Sequence, residues 1–171
     1  GQPPDQVASG PEFESLIADL SSRFLDLPPS EVDKEIQRAL SRACGVLGVD
    51  FASLWEWSTL DPERIAPTHV VYASGDRQPP ERMRDDQFPW FRQEIRAGRR
   101  IVLSSLDQLP EAAARDREAF LHLEVKSNLT LPLAVGGEPP IGVLSFSTLA
   151  QEREWPEALL QRLQLVAQLF T

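Results

Sequence analysis

Apolar positions recur along this chain with two different periods, and the points where the period changes divide it into elements. Phe13, Leu16, Ile17, Leu20 and Phe24 stand at helical spacing after Pro11, and Pro28-Pro29 ends that run. Ser30, followed by Glu31 and Asp33, reads as an N-cap with acidic residues in a first helical turn. Val32, Ile36, Leu40, Ala43 and Leu47 then form one apolar stripe, and Gly48 suits its C-terminal stop. Two short runs rich in β-branched and aromatic residues, Phe51 to Trp57 and Thr68 to Ser74, read as strands. The charged, Pro-rich stretch from Gly75 to Gln87 is a predicted loop. Asp86 is placed to cap a short helix carrying Phe88, Trp90, Phe91 and Ile95 as far as Gly98, where Pro89 fits only the first turn. Arg100 to Ser104 is a brief strand, Pro110 opens a helix over Glu111 to Val125, and Trp155-Pro156 opens a last one striped by Leu159, Leu163, Val166 and Phe170.

The strongest pattern lies before that last helix. From Ser127 onward, Leu129, Leu131, Leu133 and Val135 alternate with Asn128, Thr130, Pro132 and Ala134, the period of a strand with one strongly buried face. Gly136-Gly137-Glu138-Pro139-Pro140 supplies turn chemistry, and Ile141 to Phe146 is the returning strand. The predicted order is α α β β α β α β β α. A hairpin at its centre makes the sheet at least partly antiparallel, an α+β arrangement in which the terminal helices can pack together on one face.

The wording of the hairpin, S-x-L-x-LPL-x-V followed by G-E and I-G-V-L-S-F, resembles the last two core strands of a GAF domain. The element order resembles that family from about Phe13 to Phe170. The resemblance implies a GAF-like (profilin-like) fold: a central antiparallel sheet of five to six strands, N- and C-terminal helices on one face, and loops and short helices over a ligand face. Residues 1–10, polar and Pro-rich, are expected to be a disordered linker or a cloning remnant, and 11–171 a single GAF domain excised from a larger multidomain protein.

Charge and cysteine content narrow the partners. Seventeen Lys and Arg against 26 Asp and Glu give a net charge of -9, which argues against nucleic acid or an anionic membrane surface. No apolar run approaches the ~20 residues that span a bilayer. Cys44 is the single cysteine, so an intrachain disulfide is impossible and a reducing, cytoplasmic location is expected.

Candidate chemistry is sparse. His69 falls in a strand and His122 in a helix, each isolated, and both read as structural or solvent-facing; no Cys/His cluster supports zinc. A haem on either histidine has no support in the sequence. The family resemblance implies further tests. Bilin-binding GAF domains attach their chromophore through a pocket cysteine, whereas Cys44 lies on the second helix beside the buried stripe. GAF-type methionine sulfoxide reductases need several cysteines. Cyclic-nucleotide binders carry an N-K…F…D-E pattern, and here Asn128, Lys126 and Phe120 stand in the wrong order. The expectation is therefore no bilin, no zinc and no cyclic nucleotide, the cofactor being unknown.

What remains is a group of aromatics, Trp55 and Trp57 on the first strand, Tyr72 on the second, Trp90 and Phe91 on the short helix, which suit a small-molecule pocket and a core alike. Strand parity is expected to turn polar atoms of Ser127, Thr130 and Ser145 to the face opposite the leucine row. The candidate ligand-binding residues are thus Trp55, Tyr72, Trp90, Phe91, Ser127, Thr130 and Ser145. No acid–base or nucleophile constellation marks an enzyme. The resemblance implies a non-catalytic, small-molecule-sensing regulatory domain of a bacterial signal-transduction protein such as a sensor histidine kinase. Such a domain would relay ligand state through its terminal helices, dimerise through them, and be covalently linked to an output domain. The alternative is a ligand-free dimerisation and signal-relay scaffold.

Overall fold

The strands Phe51–Trp57 (β1), Ile65–Tyr72 (β2), Ile101–Leu103 (β3), Ser127–Leu133 (β4) and Gly142–Thr148 (β5) pair antiparallel in one sheet, in the order β2-β1-β5-β4-β3. They belong to a computed structural model that describes residues 14–19, 22, 28–57, 60–61, 64–73, 87–134 and 137–168. The helices are 14–19 (α1), Val32–Leu47 (α2), Pro89–Arg96 (α3), Ala114–His122 (α4) and Glu157–Gln168 (α5). Phe13, Leu20, Phe24, the predicted linker 1–10, the predicted loop over 75–86, Val135, Gly136 and Phe170 lie outside the described residues.

Register decides what each face of the sheet carries. Leu129 pairs with Phe146 and Leu131 with Leu144, which in turn pair with Ala52 and Leu54, so these side chains share one face. Leu16 of α1, Leu40 and Leu47 of α2, and Leu159 and Leu163 of α5 pack on that face as one core. Burial of each such side chain stabilises the fold by roughly 1.5–3 kcal/mol. The helices at the two ends of the chain therefore cover one side of the sheet, as expected. On the other side stand Phe51, Ser53 and Trp55 of β1, Thr130 of β4 and Val143, Ser145 and Ser147 of β5. Helices α3 and α4 close over them. Strands β4 and β5 are consequently buried on both faces, and the polar positions of the hairpin face a covered interior rather than water.

Three expectations shift locally. Strand β2 starts at Ile65 rather than Thr68, because Pro67, which has no N–H to give to a ladder, is accommodated on an edge strand. The register steps from Leu54↔His69 to Trp55↔Pro67, and the skipped Thr68 donates its hydroxyl to the Leu54 carbonyl at 3.2 Å. Ser30 does not cap α2; it lies within a 3₁₀ turn, Pro29–Glu31, that leads into the helix. The helix expected over Glu111 to Val125 divides into a 3₁₀ turn, Glu111–Ala113, and the shorter α4. Gly48 ends α2 in the left-handed region at φ 70°, as its sequence position suggested.

Candidate functional site

A cavity of about 60 Å³ lies between the sheet and α3 with α4. Its floor is a row of small polar side chains, Ser53, Thr130, Ser145 and Ser147, and its roof is a cluster of phenyl rings from Phe88, Phe91 and Phe120. Phe120 lies 5.0 Å from both Phe88 and Phe91 between ring centroids, and Phe88 meets Trp55 edge-on at 6.1 Å. Arg92 of α3 is the one charged side chain among the described lining residues.

Local sequence places the roof. Pro89 occupies the first turn of α3, where its missing N–H costs nothing. Neighbouring amide protons are taken up from a distance: the carboxylate of Asp116, buried on α4, accepts from Trp90 N–H at 3.1 Å and Phe91 N–H at 2.8 Å. Burial raises the Asp116 carboxyl above the ordinary carboxylate value, against the opposing pull of these amides and of Arg115.

The floor is a connected network. Asn128 Nδ2 donates to Ser145 Oγ and Ser147 Oγ, each at 2.9 Å, and Thr130 Oγ1 donates to Asn128 Oδ1 at 2.6 Å. Trp55 Nε1 donates to Ser53 Oγ at 2.9 Å. Ser53, Asn128, Thr130 and Ser147 are all buried, and these bonds offset the desolvation that burial imposes on them.

Of the residues expected at a pocket, the fold brings Trp55, Phe91, Thr130 and Ser145 together around this cavity. Tyr72 stands beyond it at the end of β2, its ring 4.7 Å from that of Phe51. Trp90 is half-buried and packs on Phe91 at 5.6 Å, outside the lining. Ser127 is on the other face. It shares odd parity with Leu129 and Leu131, so the assignment opposite the leucine row is corrected by the register itself. Its hydroxyl donates to the Ser104 carbonyl at 2.6 Å and accepts from Arg153 N–H at 2.8 Å. Sequence reasoning missed Ser53 and Ser147, although each stands two residues from a chosen one, Trp55 and Ser145. Phe88 and Arg92 flank the chosen Trp90 and Phe91 on the same predicted helix and were also missed, while Phe120 carried no such signal.

The remaining candidate groups lie away from the cavity. Cys44 is buried among the helix-side core, its thiol pushed up to about 12 by burial and by the charge of Asp50. His69 sits against α2, with Nε2 3.2 Å from Asp33 Oδ1 and Nδ1 2.9 Å from Thr68 Oγ1, and His122 is exposed at the end of α4. Among the described residues no helix is long and apolar enough to cross a membrane, and no three His, Cys, Asp or Glu side chains group as a metal site.

A family model for the GAF domain matches residues 30–171. Comparison with curated proteins gave no match. Among solved structures, the chain is similar to the phycoerythrobilin-bound GAF domain from a cyanobacterial phytochrome, with a TM-score of 0.72 and 15% identity over 94% of this chain and 93% of that one. A phycocyanobilin-bound GAF domain from a cyanobacterial phytochrome gives 0.71 and 15% over 92% and 90%. The GAF domain of a candidate sensor histidine kinase from Pseudomonas syringae pv. tomato gives 0.58 and 18% over 97% and 89%. At such identities the likeness is one of fold. It nevertheless overturns the expectation against a bilin, since domains of this fold carry bilins. That expectation tested only a thioether bond to a cysteine, and apolar contacts with a few hydrogen bonds can hold a chromophore without one, so the place of Cys44 says nothing against it.

Proposed function

The chain belongs to the GAF domain family, regulatory modules of signalling proteins, and on that premise we propose that it is a non-catalytic sensor whose small-molecule ligand occupies the cavity between the sheet and α3 with α4. The observation that carries this reading is the hydroxyl floor under a phenyl roof. Polar side chains are costly in an apolar interior, and a few of them converging in an aromatic-lined cavity is the usual build of a ligand site.

A route outward supports relay. Strand β5 carries Ser145 and Ser147 on the floor, and the segment after it enters α5 through Trp155, whose Nε1 donates to the Leu103 carbonyl of β3 at 3.0 Å. A ligand that favoured one placement of the floor would bias α5 to the extent that it binds the two arrangements with different affinity. The same reading puts the domain in a bacterial, cytoplasmic two-component protein such as a histidine kinase, linked to an output domain and dimeric through its terminal helices. The fold shared with a candidate sensor histidine kinase supports it. Leu165, 50% exposed on α5, is a suitable dimer contact, and Leu165→Glu should then convert a dimer to a monomer in sedimentation.

The test is thermal unfolding against a panel of purines, amino acids, haem, aromatic acids and a bilin. A ligand at 100 times its dissociation constant adds ~2.7 kcal/mol of stability. A response to none of them would remove the sensor reading and leave the ligand-free scaffold, which the mutual packing of Phe88, Phe91 and Phe120 favours.

A further inference from the structure

The floor of the cavity can be followed proton by proton. Thr130 spends its one hydroxyl proton on Asn128 Oδ1, so its 3.0 Å contact with Ser145 Oγ is made with the Ser145 proton. Ser147 Oγ accepts from Asn128 Nδ2, and Ser53 Oγ accepts from Trp55 Nε1; both partners are donors only. Ser53 and Ser147 therefore each retain one O–H to give. Both are 1% exposed, and both line the cavity. Register sets Ser53 opposite Ser145 and Phe51 opposite Ser147, which makes the two donors diagonal neighbours on adjacent strands.

Two buried O–H donors at diagonal positions on one cavity floor match a group with two acceptor atoms and no need to donate. Arg92 lines the same cavity, and its positive charge favours an anionic acceptor over a neutral one. The rest of the wall is aromatic and aliphatic, which suits a flat apolar body. A volume of about 60 Å³ holds roughly four to six waters on the same measure, the bulk of one substituted six-membered ring.

We propose that the cavity takes a single-ring aromatic carboxylate, whose carboxylate oxygens accept from Ser53 and Ser147 and whose ring lies among Trp55, Phe88, Phe91 and Phe120. The proposal rests on the sensor reading above and names its ligand class. Carboxylate and ring divide the work: the hydroxyls and Arg92 select the charge, and the phenyl cluster selects a planar ring.

The experiment titrates benzoate and toluene into the ¹⁵N-labelled domain and follows the indole N–H signal of Trp55, which is bonded to Ser53. Benzoate should shift it saturably and bind at least tenfold more tightly than toluene, a factor that one hydrogen bond to a charged group supplies. Ser147→Ala should weaken benzoate about tenfold and leave toluene unchanged, because Asn128 Nδ2 keeps Ser145 as a partner. Ser147→Thr, which retains the hydroxyl, should restore binding. Arg92→Gln, at a half-buried lining position, makes the same comparison if Ser147→Ala does not fold. Equal affinities for the two probes, benzoate binding unmoved by both variants, or no benzoate shift at all would each overturn the proposal. If benzoate fails while another member of the panel raises the melting temperature, the ligand class falls and sensing stands; if nothing binds, both fall.

Discussion

The carboxylate of Asp116 accepts the amide proton of Phe91 at 2.8 Å, so the helix that lays one phenyl ring over the cavity is anchored by the helix that supplies another, Phe120. The two halves of the roof are thereby one unit. Asp116 should accordingly matter to stability in a way that its place on a short, charged helix does not suggest.

Asp116→Ala leaves the amide protons of Trp90 and Phe91 without this acceptor and should cost about 1–3 kcal/mol in denaturant unfolding. The wild type carries a pH signature as well. Its folded-state pKa is raised by burial, so the folded protein binds the proton more tightly than the unfolded chain does. The contribution of this group to stability is fully present below the unfolded carboxylate value and is lost as pH rises through the folded one. The stability of wild type relative to Asp116→Asn should therefore fall with rising pH across that window and be flat above it. A difference that grows with pH would reverse the assignment.

Gly142 opens β5 and pairs with Glu56 of β1. A Cβ there would overlap the carbonyl oxygen of Trp55, which is backbone and cannot swing aside. Gly142→Ala should destabilise the domain by about 1–3 kcal/mol, as overpacking does. A melting temperature equal to that of the wild type would show that the strands can part at no cost.

Glu124 follows α4 with φ 63°, a left-handed conformation that a side chain makes unfavourable. It is held there by a helix-ending pair of bonds, Val125 N–H to the Phe120 carbonyl at 3.0 Å and Glu124 N–H to the Leu121 carbonyl at 3.1 Å. Glu124→Gly should raise stability by about 1 kcal/mol without altering ligand binding, since Phe120 keeps its place. Chemical denaturation of the two proteins side by side checks it.

Cys44, with its thiol pushed up to about 12, holds almost no thiolate at neutral pH and is sealed in the core under α2. A disulfide reagent added to the native protein should label it only at the rate of unfolding, and at once in denaturant. Fast labelling of the native state would mean that the core beneath α2 opens.

The helices and strands were readable because their signals are local. The apolar stripe of α2 and the alternation of Leu129, Leu131 and Leu133 repeat within a few residues, and each stripe must be buried somewhere. Pro67 defeated the same reasoning at β2, because a proline argues against a strand unless the strand is known to lie at an edge, and edge position is a property of the whole sheet. Ser127 shows the opposite failure. The parity argument that grouped it with Thr130 and Ser145 miscounts, because positions 127, 129 and 131 are all odd and share the leucine face.

From its own order of residues the chain determined the periods, the turns and the antiparallel hairpin, and through them the side of the sheet on which each strand residue stands. Periodicity says which side chains share a face, and nothing in it says what will cover that face. Only the tertiary structure decided that the polar side of the hairpin is roofed by Phe88, Phe91 and Phe120, that Asp116 reaches 25 residues back to hold the roof, and that Ser53 and Ser147 both line one cavity from adjacent strands. Those contacts join segments far apart in sequence, and it is the burial they impose that turns a row of ordinary serines into a site.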